Sequence, residues 1–428
     1  MTEEILHELQ RDTFDFFMHE TNPANGLVPD NTNSGAPSSI AAVGLSLAAY
    51  TVGVERGFMA RAEASQRTLA ALRFFWNSPQ GPEPDVTGYK GFFYHFLDMQ
   101  TGRRAWKCEL STIDTTFLIA GALAAAAYFA SDSEDEREIS TLADALFRRV
   151  DWRWALNGKA TVAHGWKPES GFLNYRWEGY NEAILLYALG LGSPTFPLPP
   201  ESYRAFTCTY QWENLYGCDF LFAGPLFIHQ LSHVWIDFRG IQDEFMRAKG
   251  IDYFENTRRA TLLQQQYAIR NPLEFEGYGE HCWGLTAGAG PGPATRRIHG
   301  MQRRFYSYEA RGIPYGPDDG TIAPWAAVAS LPFAPEIVLP AINYINNIHH
   351  ELLSEYGYLC SFNPTFANES QGETGRTGWI SNAYYGLDQG PIVLMIENYR
   401  TGFFWQLMRR CHYLATGLRR AGFRGGWL

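Results

Sequence analysis

Apolar residues recur at helical spacing along most of the chain. The pattern predicts helices over 2–20, 38–54, 60–76, 112–130, 134–150, 180–190, 222–236, 241–269, 335–353, 379–386, 390–399 and 401–421. They are of two kinds: 38–54, 112–130 and 180–190 are apolar nearly all round, whereas 60–76, 134–150 and 241–269 carry charges on one face. A helix apolar on every side must be buried on every side, while a charged face can meet water. Their alternation predicts an inner and an outer ring of helices, an all-α (α/α)6 toroid in which residues 1–428 form one domain. Long Gly- and Pro-rich loops separate the helices at 77–92, 155–179, 191–202, 271–298, 311–325 and 355–378, and loops of that length are usually functional. One connection, GFFYHFLDMQTGRRAW at 91–106, reads as a β-hairpin turning at Asp98–Gly102.

Composition narrows the classes of partner. With 46% hydrophobic and 19% charged residues, the 428-residue chain can bury a large core. A net charge of -10, with no Lys/Arg run longer than two, excludes the basic footprint of a nucleic-acid binder. Aromatic residues make up 15% of the chain, and many adjoin Gly, Asn, Asp or Glu, as expected of lined clefts as well as core. Six cysteines lie scattered without a C-x-x-C pair, so neither a zinc site nor a disulfide framework is expected, although Cys208 and Cys218 could pair on export. The longest apolar run, 117–130, falls short of the roughly 20 residues of a membrane span. MTEEILHELQRD lacks the features of a signal peptide, so a cytoplasmic protein is expected as written, or a periplasmic or secreted one if a leader has been removed.

Three carboxylates stand at or near the starts of apolar helices: Asp114, Glu182 and Asp388. Each reads locally as part of a cap: Ser111 and Asp114 form a capping box, Asn181 caps the helix holding Glu182, and Asp388 caps the one holding Pro391. Taken together they say more. If the apolar helices form the inner ring, their N-termini converge and the three acids face one cleft, joined by loop acids drawn from Glu109, Asp237, Glu276, Glu280 and Asp319. Paired carboxylates beside aromatic rings suit glycoside hydrolysis, which needs a protonated acid for the leaving oxygen and an ionised base for water. A helix N-terminus favours the ionised form, so Glu182 needs neighbouring acids or burial to act as the acid. Asp388, paired with a cation such as Arg400, would remain ionised.

Several segments, in order, carry a resemblance: STIDT (111–115), YNEAILLYALGLGSPT (180–195), LFIHQLSHVWIDFRGIQDEFM (226–246), WGLTA (283–287), DDGTIAPWAAVASLPFAPE (318–336) and GLDQGPIVLMIENYRTGFFW (386–405). They resemble the bacterial glycoamylase-like family, which includes endo-β-1,2-glucanases. The resemblance implies an (α/α)6 fold and anomer-inverting hydrolysis of β-1,2-linked glucan, without metal or organic cofactor. It implies Glu182 as general acid, Asp388 as general base acting on water through a substrate hydroxyl, and Asp114 as a tuning or binding group. Expected stacking residues are Trp166, Tyr175, Trp177, Tyr180, Trp235, Trp283 and Trp379, with Trp152 and Trp154 in the core. Asn181, His233, Arg239, Gln242, Glu280 and Asp319 are the expected hydrogen-bonding groups. The loops at 288–315 would close or cover one end of the cleft, and so bear on endo or exo action.

Other readings stay open at this stage. HQLSHVW sets His229 and His233 one helical turn apart, a metal-ligand spacing, but Gln230 stands where a zinc protease has Glu and no third ligand follows, so no metal is expected. A sugar epimerase would want a second His motif near the chain end, where His412 lies in a charged helix and His349–His350 in an outer one. A transglycosylase on the same scaffold, or a carbohydrate-binding protein that lost the reaction, differs in its products.

Overall fold

In a computed structural model, residues 2–298, 300–366 and 378–428 are described, so much of the loop expected at 355–378 lies outside the described residues. Among them are fifteen α-helices: α1 (Thr2–His19), α2 (Ile40–Glu55), α3 (Arg61–Asn77), α4 (Thr112–Tyr128), α5 (Glu134–Arg149), α6 (Ile184–Gly192), α7 (Glu201–Thr207), α8 (Leu226–Trp235), α9 (Glu244–Lys249), α10 (Tyr253–Arg270), α11 (Pro324–Ala329), α12 (Pro335–Ile348), α13 (Gly386–Arg400), α14 (Phe403–Arg409) and α15 (His412–Arg420). The apolar helices pack in a closed order: α2 on α4, α4 on α6, α6 on α8, α8 on α11, α11 on α13, and α13 back on α2. Others lie against this set, with α1 on α2 and α13, α3 and α5 on each other, α10 on α8, α12 on α11, and α15 on α6. One continuous core of buried residues runs from Leu6 to Phe423, and no helix among the described residues is long and apolar enough to cross a membrane.

Local chemistry explains the ring helices. Ser39 caps α2 by accepting from Ala42 N–H, and Ser111 caps α4 by accepting from Asp114 N–H. α2 and α4 cross at glycine: a Cβ on Gly44 would fall 2.2 Å from the Phe117 carbonyl oxygen, and one on Gly121 2.1 Å from that of Gly44. In contrast, α5 opens on Glu134, Asp135 and Glu136 and ends on Arg148 and Arg149, which complements its dipole and suits an outer helix.

Several boundaries differ from expectation. α6 starts at Ile184, not 180, so Glu182 sits in the preceding turn. The helix expected over 241–269 breaks at Gly250, whose φ of 71° only glycine adopts readily, and the one over 401–421 breaks at Arg410–Cys411. The helix expected over 379–386 is absent apart from Gly386, which opens α13; Trp379–Ile380 is a strand paired with Phe362–Asn363. Apolar periodicity over so short a run does not separate strand from helix. The chain does fold back at Asp98–Arg103, with Leu97 bridged to Arg104. Phe92–Tyr94, however, pairs with Gly88–Tyr89 and Leu110–Ser111 in a five-stranded sheet completed by Gly165–Lys167 and Gly171–Phe172. All six cysteines are free thiols, Cys208 and Cys218 included.

Candidate active site

Asp114 occupies the first turn of α4, where the strand Leu110–Ser111 delivers the chain into the helix. Its carboxylate accepts from the Ser111 hydroxyl and lies 3.5 Å from His95 Nε2. The other ring nitrogen, Nδ1, is 2.9 Å from the Glu109 carboxylate, and the imidazole stacks on Phe96 at 3.9 Å and 12°. Burial alone would keep His95 neutral, but Asp114, Glu109 and Asp30 outweigh it and push the imidazole up to about 9. In return the hydrogen bond to His95 pulls Glu109 down to about 2. The result is an imidazolium clamped between two acids.

Glu182 sits at the mouth of α6. Asn181 does not cap α6, whose cap position is Ala183; its Oδ1 accepts from Ala183 N–H at 3.0 Å within the preceding turn, and the Glu182 carbonyl accepts from Ser232 Oγ at 2.7 Å, so the turn is tied to α8. The residue keeps some accessible surface, yet protein surrounds the carboxyl. Burial pushes it up to about 7; its own backbone amide opposes this and the charge of Asp114 adds to it. The expected pull of the helix dipole is thus overridden.

Asp388 lies in the first turn of α13 and is 3% exposed, with Oδ2 unpartnered. Burial raises it well above the usual carboxylate range; the neighbouring Cys360 thiol lowers it and Asp30 raises it. The cation expected beside it is elsewhere: Arg400, at the far end of α13, binds Glu3 at 3.1 Å and Gln10 at 3.0 Å. Asp30, from the loop before α2, bears on His95, Asp114 and Asp388 and so links the two halves of the site. Tyr308 completes this side, its ring 6.0 Å from that of Tyr385.

The aromatic candidates divide by depth. Trp177 stacks on His164 at 3.8 Å and 17°, and its Nε1–H donates to Thr112 Oγ1 at 2.9 Å, which places it against the start of α4. Tyr175, 76% exposed, lies 6.0 Å from the same His164. Tyr180 packs its ring 5.1 Å from His229 and 6.0 Å from Tyr253. Trp166 is partly buried between Tyr89 and Trp154; Trp152 is wholly buried and Trp154 partly so. Trp379 lines a separate cavity with Ile348, His349 and Phe362 that contains none of the acids.

Other expectations are corrected. Trp235 and Trp283 have no exposed surface and cannot stack on a sugar; Trp235, the last residue of α8, packs on Phe117 and Phe404. His233 Nε2 meets Thr257 Oγ1 at 2.9 Å, and His229 Nε2 meets the Ala223 carbonyl at 3.2 Å. Burial pulls these imidazoles down to about 3 and about 4, so both are neutral core groups. Among the described residues no cluster of side chains could hold a metal. Arg239 and Gln242 follow the C-terminal end of α8, away from the acids: Arg239 pairs with Asp237 at 2.8 Å, and Gln242 donates to the Ile251 carbonyl at 2.8 Å. Asp319 is sealed in a bidentate pair with Arg311 and accepts from Tyr306 N–H, ordering the loop that carries Tyr308. Glu280 is exposed beside His281, its carbonyl held by Gln265 of α10.

Sequence reasoning missed Asp30, His95, Tyr308 and Cys360. Asp30 had one available signal, its place in the loop that leads into an apolar helix, although it stands much further from Ile40 than Glu182 does from Ile184. Nothing local marks the other three.

Comparison with known proteins follows the same outline. The Glycoamylase family model, described as "Putative glucoamylase", matches residues 174–412. An exo β-1,2-glucooligosaccharide sophorohydrolase (non-reducing end) from Parabacteroides distasonis is 29% identical over 98% of this chain, which spans 58% of that relative's length. A crystal structure from Bacteroides uniformis, described in the same glucoamylase terms, is 31% identical with a TM-score of 0.87, over 100% of this chain and 99% of that one. The endo-β-1,2-glucanase from Chitinophaga pinensis, solved with sophorotriose and glucose, is 27% identical with a TM-score of 0.86, over 100% of both chains.

Proposed function

The chain belongs to the glycoamylase family, and on that premise we propose that it is an anomer-inverting glycoside hydrolase of β-1,2-glucan or its oligosaccharides, built as a one-domain (α/α)6 toroid. The closed packing order of α2, α4, α6, α8, α11 and α13 supports the toroid, and the continuous core supports one domain. The β-1,2-acting relatives support the linkage. The observation that carries the reaction type is Glu182, poised at about 7 beside Asp114. A carboxyl so placed can still hold its proton near neutrality, as a general acid must.

In the proposed step Glu182 gives its proton to the glycosidic oxygen as the C–O bond breaks. Water attacks the anomeric carbon from the opposite face and loses its proton to Asp388, directly or through a sugar hydroxyl. Asp388 is not ionised by a protein cation, contrary to expectation. Its vacant Oδ2 can accept from water or a sugar hydroxyl, and a donor there favours the carboxylate. Asp114, pinned by Ser111 and His95, acts on Glu182 through its charge. Tyr175 offers ring surface to the sugar, whereas Trp177 is buried with one face on His164.

A panel of β-1,2-, β-1,3-, β-1,4- and α-linked glucans tests the reading. Only the β-1,2 substrate should yield shorter reducing sugars, and Glu182→Gln should lower that rate by about 10² or more while the protein stays folded. Turnover of another linkage in preference, or undiminished turnover in the variant, would overturn it.

A further inference from the structure

The C-terminal segment of the chain is basic. Residues 400–428 hold six arginines and no Asp or Glu, in a chain of net charge -10. Between α7, α9 and the end of α15 lies a cavity of about 190 Å³, into which Arg204, Arg247, Arg420 and Arg424 face together with Asp243 and Glu244. All four arginines are exposed. Elsewhere Arg56 meets Glu397 and Arg311 meets Asp319 in ion pairs. Here, among the described residues, none of the four has an ion-pair partner.

The cavity's own acids do not cancel them. Asp243 has both oxygens engaged, Oδ2 by the Tyr203 and Tyr253 hydroxyls at 2.8 and 2.7 Å and Oδ1 by Met246 N–H at 2.8 Å. Even counting the charges of Asp243 and Glu244, the wall keeps two positive charges in excess. Arg247 and Arg420 are already anchored, Arg247 to the Gln242 and Gly422 carbonyls at 2.6 and 2.9 Å, and Arg420 to the Leu191 carbonyl at 2.7 Å. A carbonyl orients a guanidinium without neutralising it, and each guanidinium keeps further N–H donors free. Two anchored guanidiniums and two exposed ones around a small cavity, with a net excess of two positive charges, suit a small oxyanion in geometry and a dianion in charge.

We propose that this cavity binds a small oxyanion of the phosphate class, at a site separate from the acid cluster. Thermal unfolding in inorganic phosphate and in pyrophosphate, against sodium chloride at matched ionic strength, tests it. Binding to the folded state should raise Tm by about 2 °C or more at saturation. The rise should vanish in R204A/R424A, two exposed side chains whose removal leaves the carbonyl anchors in place. Calorimetric titration of both proteins with pyrophosphate should show heat of binding in the parent alone. No rise beyond the chloride control, or a rise that persists in the double variant, would overturn the site. Hydrolysis of β-1,2-glucan by the double variant should match the parent, so failure here is separate from failure of the proposed reaction.

Discussion

At the scale of single residues, burial decides the acid. A carboxyl at the start of an apolar helix should ionise easily, yet Glu182 sits one turn before α6 and burial holds it at about 7. Two consequences follow in pH. Turnover that needs its proton should fall as pH rises through about 7. Stability follows the same group: its folded value lies above its unfolded one, so its contribution is complete below the unfolded value of 4.5 and is lost as pH rises through about 7. Glu182→Gln should therefore unfold at a higher temperature than the parent at pH 8, the gap closing below pH 4.5; an equal Tm at pH 8 would show that the carboxyl is not buried as described. His95, raised to about 9 between Asp114 and Glu109, gives the complementary test. Imidazole NMR should find it charged at neutrality, and Glu109→Gln should move its titration to lower pH. Asp114, Glu182 and Asp388 were legible as a group because each adjoins an apolar helix, whereas Asp30 was not. His95 was not, because its role arises from strand pairing that brings Glu109 to one ring nitrogen and Asp114 to the other. His233 and Trp235 were misplaced because i, i+4 spacing fixes a face of α8 but not its depth.

At the scale of elements, glycine sets how closely the apolar helices approach. A Cβ on Gly417 of α15 would lie 1.6 Å from the Ala188 carbonyl of α6, and one on Gly44 of α2 2.2 Å from that of Phe117 on α4. These obstacles are backbone atoms, which cannot swing aside. Gly417→Ala and Gly44→Ala should each cost about 1–3 kcal/mol or more, read from the denaturant midpoint. A midpoint unchanged in either variant would mean the helices are not so tightly apposed. The long helices α2, α4 and α5 were legible from period and caps. α7 and α11 were not, being six or seven residues long, with α11 opening on a proline that reads as loop. Trp379–Ile380 read as helix because nothing in its own sequence shows that Phe362–Asn363 supplies a pairing edge.

At the scale of the whole molecule, acids and arginines collect in different places. Asp114, Glu109 and Asp30 bear on His95, the charge of Asp114 bears on Glu182 and that of Asp30 on Asp388, while arginines line the cavity between α7, α9 and α15. Alternating apolar and amphipathic helices made the grouping of Asp114, Glu182 and Asp388 readable, since each stands at the start of a buried helix. Asp388 then poses the sharpest demand on the account: it is buried, unpartnered at Oδ2, and must ionise to accept the proton of water. Asp388→Asn should abolish hydrolysis while leaving the fold intact. The most direct measurement is time-resolved NMR of the anomeric proton as the parent enzyme cleaves a β-1,2-glucooligosaccharide, with Glu182→Gln and Asp388→Asn alongside. The account predicts that the α-anomer appears first and relaxes slowly to the mixture, and that both variants release almost none. Initial release of the β-anomer, or product formation undiminished in either variant, would contradict it.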